Sequence, residues 1–163
     1  MMKRIGAAVA AISLAAAPAV AGVGHVYASG SLRISELRIE PTPRGASTAA
    51  GYLTIKNTGA AADRLVAASS PDAAEVEIHK MSTMGGVMRM RAVTGGLLIG
   101  PGQTLKLLPG GYHLMLVHPT HAFKAGEHVP MTLRFERSGE VPVEFDVRSG
   151  EASSGSMAGM NMP

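Results

Sequence analysis

The sequence predicts an all-β fold, a sandwich or barrel of about eight or nine short strands. Three observations predict it. Between Ser31 and Val147, apolar and polar residues alternate with a period of two. Gly and Pro clusters such as Gly85-Gly86, Gly95-Gly96, Pro101-Gly102 and Pro109-Gly110-Gly111 punctuate that stretch at short intervals. No run keeps a helical period over three turns.

The strands follow in order. Leu32 and Ile34, then Leu37 and Ile39, alternate with a slip between the pairs. Gly51 to Gly59 reads as a strand entering an Asn-Thr-Gly turn, and Arg64 to Ala68 as a third strand. In Ala74 to Lys80, Val76 and Ile78 face one side, and Glu75, Glu77 and His79 the other. Met88, Met90 and Ala92 alternate against Arg89 and Arg91. Thr104 to Leu108, Tyr112 to Val117, Val129 to Glu136 and Val141 to Arg148 complete the set. The "TGGLLIGPG" segment reads as a loop. Pro130 and Pro142 sit second in their runs, which suits edge strands or strand starts.

The termini read differently. Lys3 and Arg4, the apolar run Ile5 to Ala17 and Ala19-Val20-Ala21 form a signal-peptide pattern over residues 1–21. This predicts an exported, periplasmic protein with no stable membrane insertion after cleavage near Ala21. Without Lys3 and Arg4 the chain keeps 13 basic against 12 acidic residues, so its basicity is slight. No basic cluster or aromatic platform remains to argue for nucleic acid. Residues 22–150 are expected to form one domain, and residues 151–163 a mobile Met-rich tail.

The chemistry lies in soft donors. The chain has eleven Met and no Cys. That excludes Cys-based zinc sites, iron–sulfur clusters and the blue-copper centre, which needs a thiolate. His79 is followed, after ten residues, by Met90; His113 and Met115 form a His-x-Met pair. In a strand His113 and Met115 project together, while Leu114 and Leu116 face the core. A single Met in such a run is usually core filler, and Met88 and Met90 are expected to pack there if taken alone. Two imidazoles and two thioethers together suit Cu(I), whereas Zn(II) is poorly served by thioethers.

"HKMSTMGGVMRMR" followed by "LLPGGYHLMLV" closely resembles the periplasmic PCuAC copper chaperones. The resemblance covers Ser31 to Val147. It implies a cupredoxin-like Greek-key β-sandwich and Cu(I) held by His79, Met90, His113 and Met115. It also implies delivery of copper to the binuclear CuA centre of cytochrome c oxidase, with the CuA subunit or an assembly factor as partner. One departure stands out. Twenty-two residues separate Met90 from His113, where the family pattern has about twenty-one. A loop absorbs one residue cheaply; inside a strand it would turn a ligand to the wrong face. Met81, Met84 and Met88 are the fallback ligands.

Secondary donors are Met157, Met160 and Met162 in the tail, His118, His121 and His128 after the motif, and His25 near the new N-terminus. The tail or His25 could hold a second copper; His118, His121 and His128 read as solvated loop residues. The expected protein is a monomeric carrier, not an enzyme: no Tyr or acid–base pair is evident beside the metal face. Periplasmic copper storage or detoxification is the alternative.

Overall fold

The computed structural model describes residues 25–150. The expected signal segment 1–21 and the tail 151–163, with Met157, Met160 and Met162, lie outside the described residues. The described residues form eleven strands and no helix. The first six are β1 (Tyr27–Ser29), β2 (Leu32–Ile39), β3 (Thr48–Asn57), β4 (Asp63–Ser69), β5 (Ala73–Met84) and β6 (Val87–Ala92). They are followed by β7 (Leu97–Ile99), β8 (Thr104–Leu107), β9 (Tyr112–Pro119), β10 (His128–Phe135) and β11 (Gly139–Val147). The nine alternating runs all become strands. β1 and β7 are additions, and β7 lies in the segment read as a loop. Three residues are too few to show a period. Pairing with β4 defines β7, placing Asp63 opposite Ile99 and burying Leu97 and Ile99.

The sheet runs β1-β2-β11-β10-β4-β5-β9-β3-β8, and an added β2–β3 pairing closes it on itself. Two seams are thin. β4 meets β5 at Ala68↔Val76 alone. β11 meets β2 in parallel at only two positions. Between the seams lie two halves: β2, β3, β9 and β5 in one, β11, β10 and β4 in the other. The chain crosses between halves from β3 to β4, from β4 to β5 and from β9 to β10, which is the Greek-key sandwich arrangement. Pro130 and Pro142 lie on interior strands rather than edges. Each nonetheless sits where one flank lacks a ladder partner: β4 joins β10 only from Thr132, and β2 joins β11 only from Asp146.

The slip in β2 is a bulge. Register shifts between Ser35 and Arg38, and Glu36 takes φ 56°. The extra residue lets Leu32, Ile34, Leu37 and Ile39 all face inward, each at most 4% exposed. Phe123, Phe135 and Phe145, every Phe in the chain, fill the centre with Leu114, Leu133 and Ile55.

One buried carboxylate ties the far end together. Asp63 accepts bonds from the backbone of Arg64, Arg137 and Ser138 and from the Ser138 hydroxyl. Burial alone would push its pKa up; the Ser138 hydroxyl and the three N–H groups outweigh that and hold it below the ordinary 3.8. Its contribution is therefore present above pH 3.8 and lost as pH falls through the lowered folded value. Asp63→Asn should cost about 2–3 kcal/mol at neutral pH. It should also flatten the acid limb of a stability–pH profile measured by thermal melting.

Candidate metal centre

The centre is assembled on one face of β5, β6 and β9. Along β5, Val76 and Ile78 point into the core, leaving Glu75, Glu77, His79 and Met81 on the other side. Along β9, Leu114 and Leu116 are fully buried, and His113 and Met115 take the opposite face. Register then chooses neighbours. Glu77 stands opposite Met115, His79 opposite His113, and Met81 opposite Met90. Opposed residues share a sheet face, so two imidazoles and three thioethers gather on one side.

The His79 and His113 ring centroids are 5.7 Å apart at 53°. With metal–nitrogen bonds of about 2.0–2.1 Å, one ion can bridge imidazoles whose centroids lie up to roughly 6.4 Å apart. The pair therefore fits a shared metal. Among the described residues no group of three His, Asp or Glu is arranged to hold one. Thioethers are the donors at hand to complete the set.

His113 is only 4% exposed. Burial pushes its pKa below the ordinary 6.5; the Gly111 carbonyl, 3.4 Å from Nδ1, opposes this, and nearby His79 adds to it. Neutral imidazole is the metal-binding form, so burial keeps His113 competent at lower pH than a free histidine. His79 places Nε2 2.7 Å from Glu77 Oε2. Its Nδ1 is shut from solvent and has no hydrogen-bond partner.

A cleft of about 550 Å³ opens over His113 and Met115. Pro41 and Pro43 wall one side, Pro109 and Gly110 another, and Met81, Met88 and Met90 form the rim. The rim stands on the β5–β6 hairpin, whose turn is Gly85-Gly86 at φ 60° and 77°. Two positive φ values make the tight turn that matches strand twist, and glycine takes them without strain.

Several expectations change here. Met88 and Met90 are not core filler: they are 64% and 47% exposed, because the hairpin runs past the end of β9 and no strand among the described residues covers it. Met131 on β10 is the buried methionine instead. The 22-residue interval between Met90 and His113 contains β7, β8 and their turns, and β9 still sets His113 opposite His79. Met81, a fallback ligand, reaches the cleft; Met84 is 69% exposed at the hairpin end.

The metal face also has polar company that sequence reasoning excluded. Tyr52 on β3 lies 6.5 Å from His113 between ring centroids, and Glu77 bonds His79. Glu77 was visible as the residue two before His79; Tyr52 carried no local signal. The later histidines do not converge. His121 pairs with Glu127, and His128, which opens β10 rather than a loop, with Asp146. His118 is exposed at the end of β9 with φ 49°, and His25 packs edge-on to Tyr27.

Among the described residues, a helix-free Greek-key sandwich of the cupredoxin-like class carries these paired imidazoles and clustered thioethers. Residues 32–147 match the family model described as LpqE-like. A protein of Leifsonia xyli subsp. xyli, described as "Putative lipoprotein Lxx21020", is 34% identical over 104 residues, covering 64% of this chain and 63% of that protein. The protein RP573 of Rickettsia prowazekii (strain Madrid E) is 32% identical over 90 residues, covering 55% of this chain and 50% of that one. The chain thus spans less than two thirds of the length of these curated relatives. Among solved structures, the copper-bound PCuAC domain from PmoF2 superposes with TM-score 0.65 at 26% identity, covering 77% of this chain and 98% of that domain. The CuI form of DR1885 from Deinococcus radiodurans gives TM-score 0.58 at 27% identity, covering 71% and 76%. The chain belongs to this LpqE-like, PCuAC-type family.

Proposed function

We propose that this protein is an exported copper carrier that binds Cu(I) through His79, Met90, His113 and Met115. The observation that carries the reading is the pairing of two imidazoles side by side across β5 and β9, with thioethers around them. Thioether sulfur selects Cu(I), and imidazole tolerates it. With no Cys in the chain, the donors are neutral and hold copper less firmly than thiolates would. The exposed rim methionine Met90 lets an incoming acceptor displace ligands stepwise. Copper in the PmoF2 domain and Cu(I) in DR1885 support the choice of cargo. The lipoprotein description of the Leifsonia relative supports export.

The acceptor in this reading is the CuA centre of cytochrome c oxidase or a factor that assembles it. Residues 22–150 form the carrier, and the 151–163 segment supplies further thioethers. The protein binds and transfers; it does not catalyse. X-ray absorption of the Cu(I)-loaded protein tests the centre. Mixed sulfur and nitrogen neighbours at one copper per chain are expected. A shell of oxygen and nitrogen alone would refute the assignment, and several coppers per chain would favour storage.

A further inference from the structure

We infer that Glu77 is a positioning residue whose carboxylate fixes the tautomer of His79, so that His79 offers Nδ1 rather than Nε2 to the metal. The inference rests on the copper reading above and adds the identity of the ligating atom. Glu77 and His79 lie two apart on β5 and share its outer face. Glu77 Oε2 stands 2.7 Å from His79 Nε2. An ionised carboxylate can only accept, so Nε2 carries the proton in this contact. The length is that of a charge-assisted hydrogen bond.

A neutral imidazole has one N–H, and Glu77 takes it. Nδ1 is left with a lone pair, buried and without a partner. It is the single unsatisfied buried side-chain nitrogen or oxygen among the described residues. Proteins rarely leave such an acceptor unpaired, and a soft cation beside it would satisfy it. Nothing else in the described structure competes for the carboxylate: His79 is its one ion-pair partner there, and Lys80 faces the opposite way. His113 lacks an equivalent anchor, since its 3.4 Å approach to the Gly111 carbonyl is too long for a firm bond. A carboxylate behind one imidazole raises its basicity as a ligand. That matters in a donor set with no anionic member.

Long-range ¹⁵N–¹H NMR of the apo and Cu(I)-loaded full chain reads the tautomer directly. Nε2 of His79 should stay protonated in both states, with the Nδ1 resonance moving on loading. Glu77→Gln keeps an accepting oxygen, and with it the tautomer, but not the charge, and should bind Cu(I) with an affinity between those of the parent and Glu77→Ala. Glu77→Ala should lose about 10–100-fold in Cu(I) affinity, with a mixed tautomer and little change in melting temperature. His79→Ala separates the two claims. If it loses copper while Glu77→Ala binds normally, or if the loaded His79 is protonated at Nδ1, the positioning role falls alone. If His79→Ala binds copper like the parent, both claims fall.

Discussion

His113→Ala should lower Cu(I) affinity by at least about 100-fold. Loss of an outer partner of a ligand costs about 10–100-fold, and removing a buried ligand costs more. Met115→Ala should approach the same loss, because Met115 projects beside His113 from the same strand face. Met90→Ala should cost less. Met90 is 47% exposed and stands opposite Met81, which can offer its own sulfur. The double substitution Met81→Ala with Met90→Ala should restore the full loss. Competition against a chromophoric Cu(I) chelator measures each step. If His113→Ala and Met115→Ala both titrate like the parent, the ligand assignment is wrong. Acid should also release the metal as protons compete for the imidazoles, and for His113 this competition begins below its ordinary 6.5.

Asn57→Ala should cost about 3–5 kcal/mol of stability while leaving copper affinity intact. Asn57 is fully buried at the end of β3. Its Nδ2 donates to the carbonyls of Ala61 and Ile99, at 2.8 and 3.1 Å. Its Oδ1 accepts from the Gly59 N–H at 3.0 Å and the Ser31 hydroxyl at 3.4 Å. One side chain therefore closes the turn after β3 and holds β7 in place. Alanine strands the buried Ile99 carbonyl together with the partly buried Gly59 N–H and the carbonyl of exposed Ala61, each worth about 1–3 kcal/mol unless water reaches it. A melting temperature lower by about 10 °C or more is expected for a domain of this size. The candidate copper face lies at the other end of β3, where Ala50 pairs with Met115. A loss under about 1 kcal/mol in chemical denaturation would show that this network is not what holds β7.

Much of the fold was readable because strand signals are local. Nine alternating runs became strands, and the slip in "LRISELRI" became the Glu36 bulge. β7 escaped because three residues show no period, and its strand character comes from Asp63 to Leu65 across a gap of more than thirty residues. The prolines were legible only in part, for a related reason. Pro130 and Pro142 were read as marking edges or strand starts; they lie near the starts of interior strands, at gaps in the ladder, and gaps depend on where neighbouring strands stop.

The candidate centre divides along the same line. Sequence by itself determined the donor chemistry: no thiolate, many thioethers, and a His-x-Met pair bound to share a face because side chains alternate along any strand. It also determined that Val76, Ile78, Leu114 and Leu116 face away from those donors. Only the tertiary structure decided which donors meet. The β5–β9 register sets His79 against His113, the overhanging hairpin exposes Met88 and Met90 and brings Met81 to the cleft, and β3 carries in Tyr52. Side-chain period is a property of neighbouring residues, whereas register and strand length relative to a partner arise from pairing between distant segments, where no single stretch of sequence records the outcome.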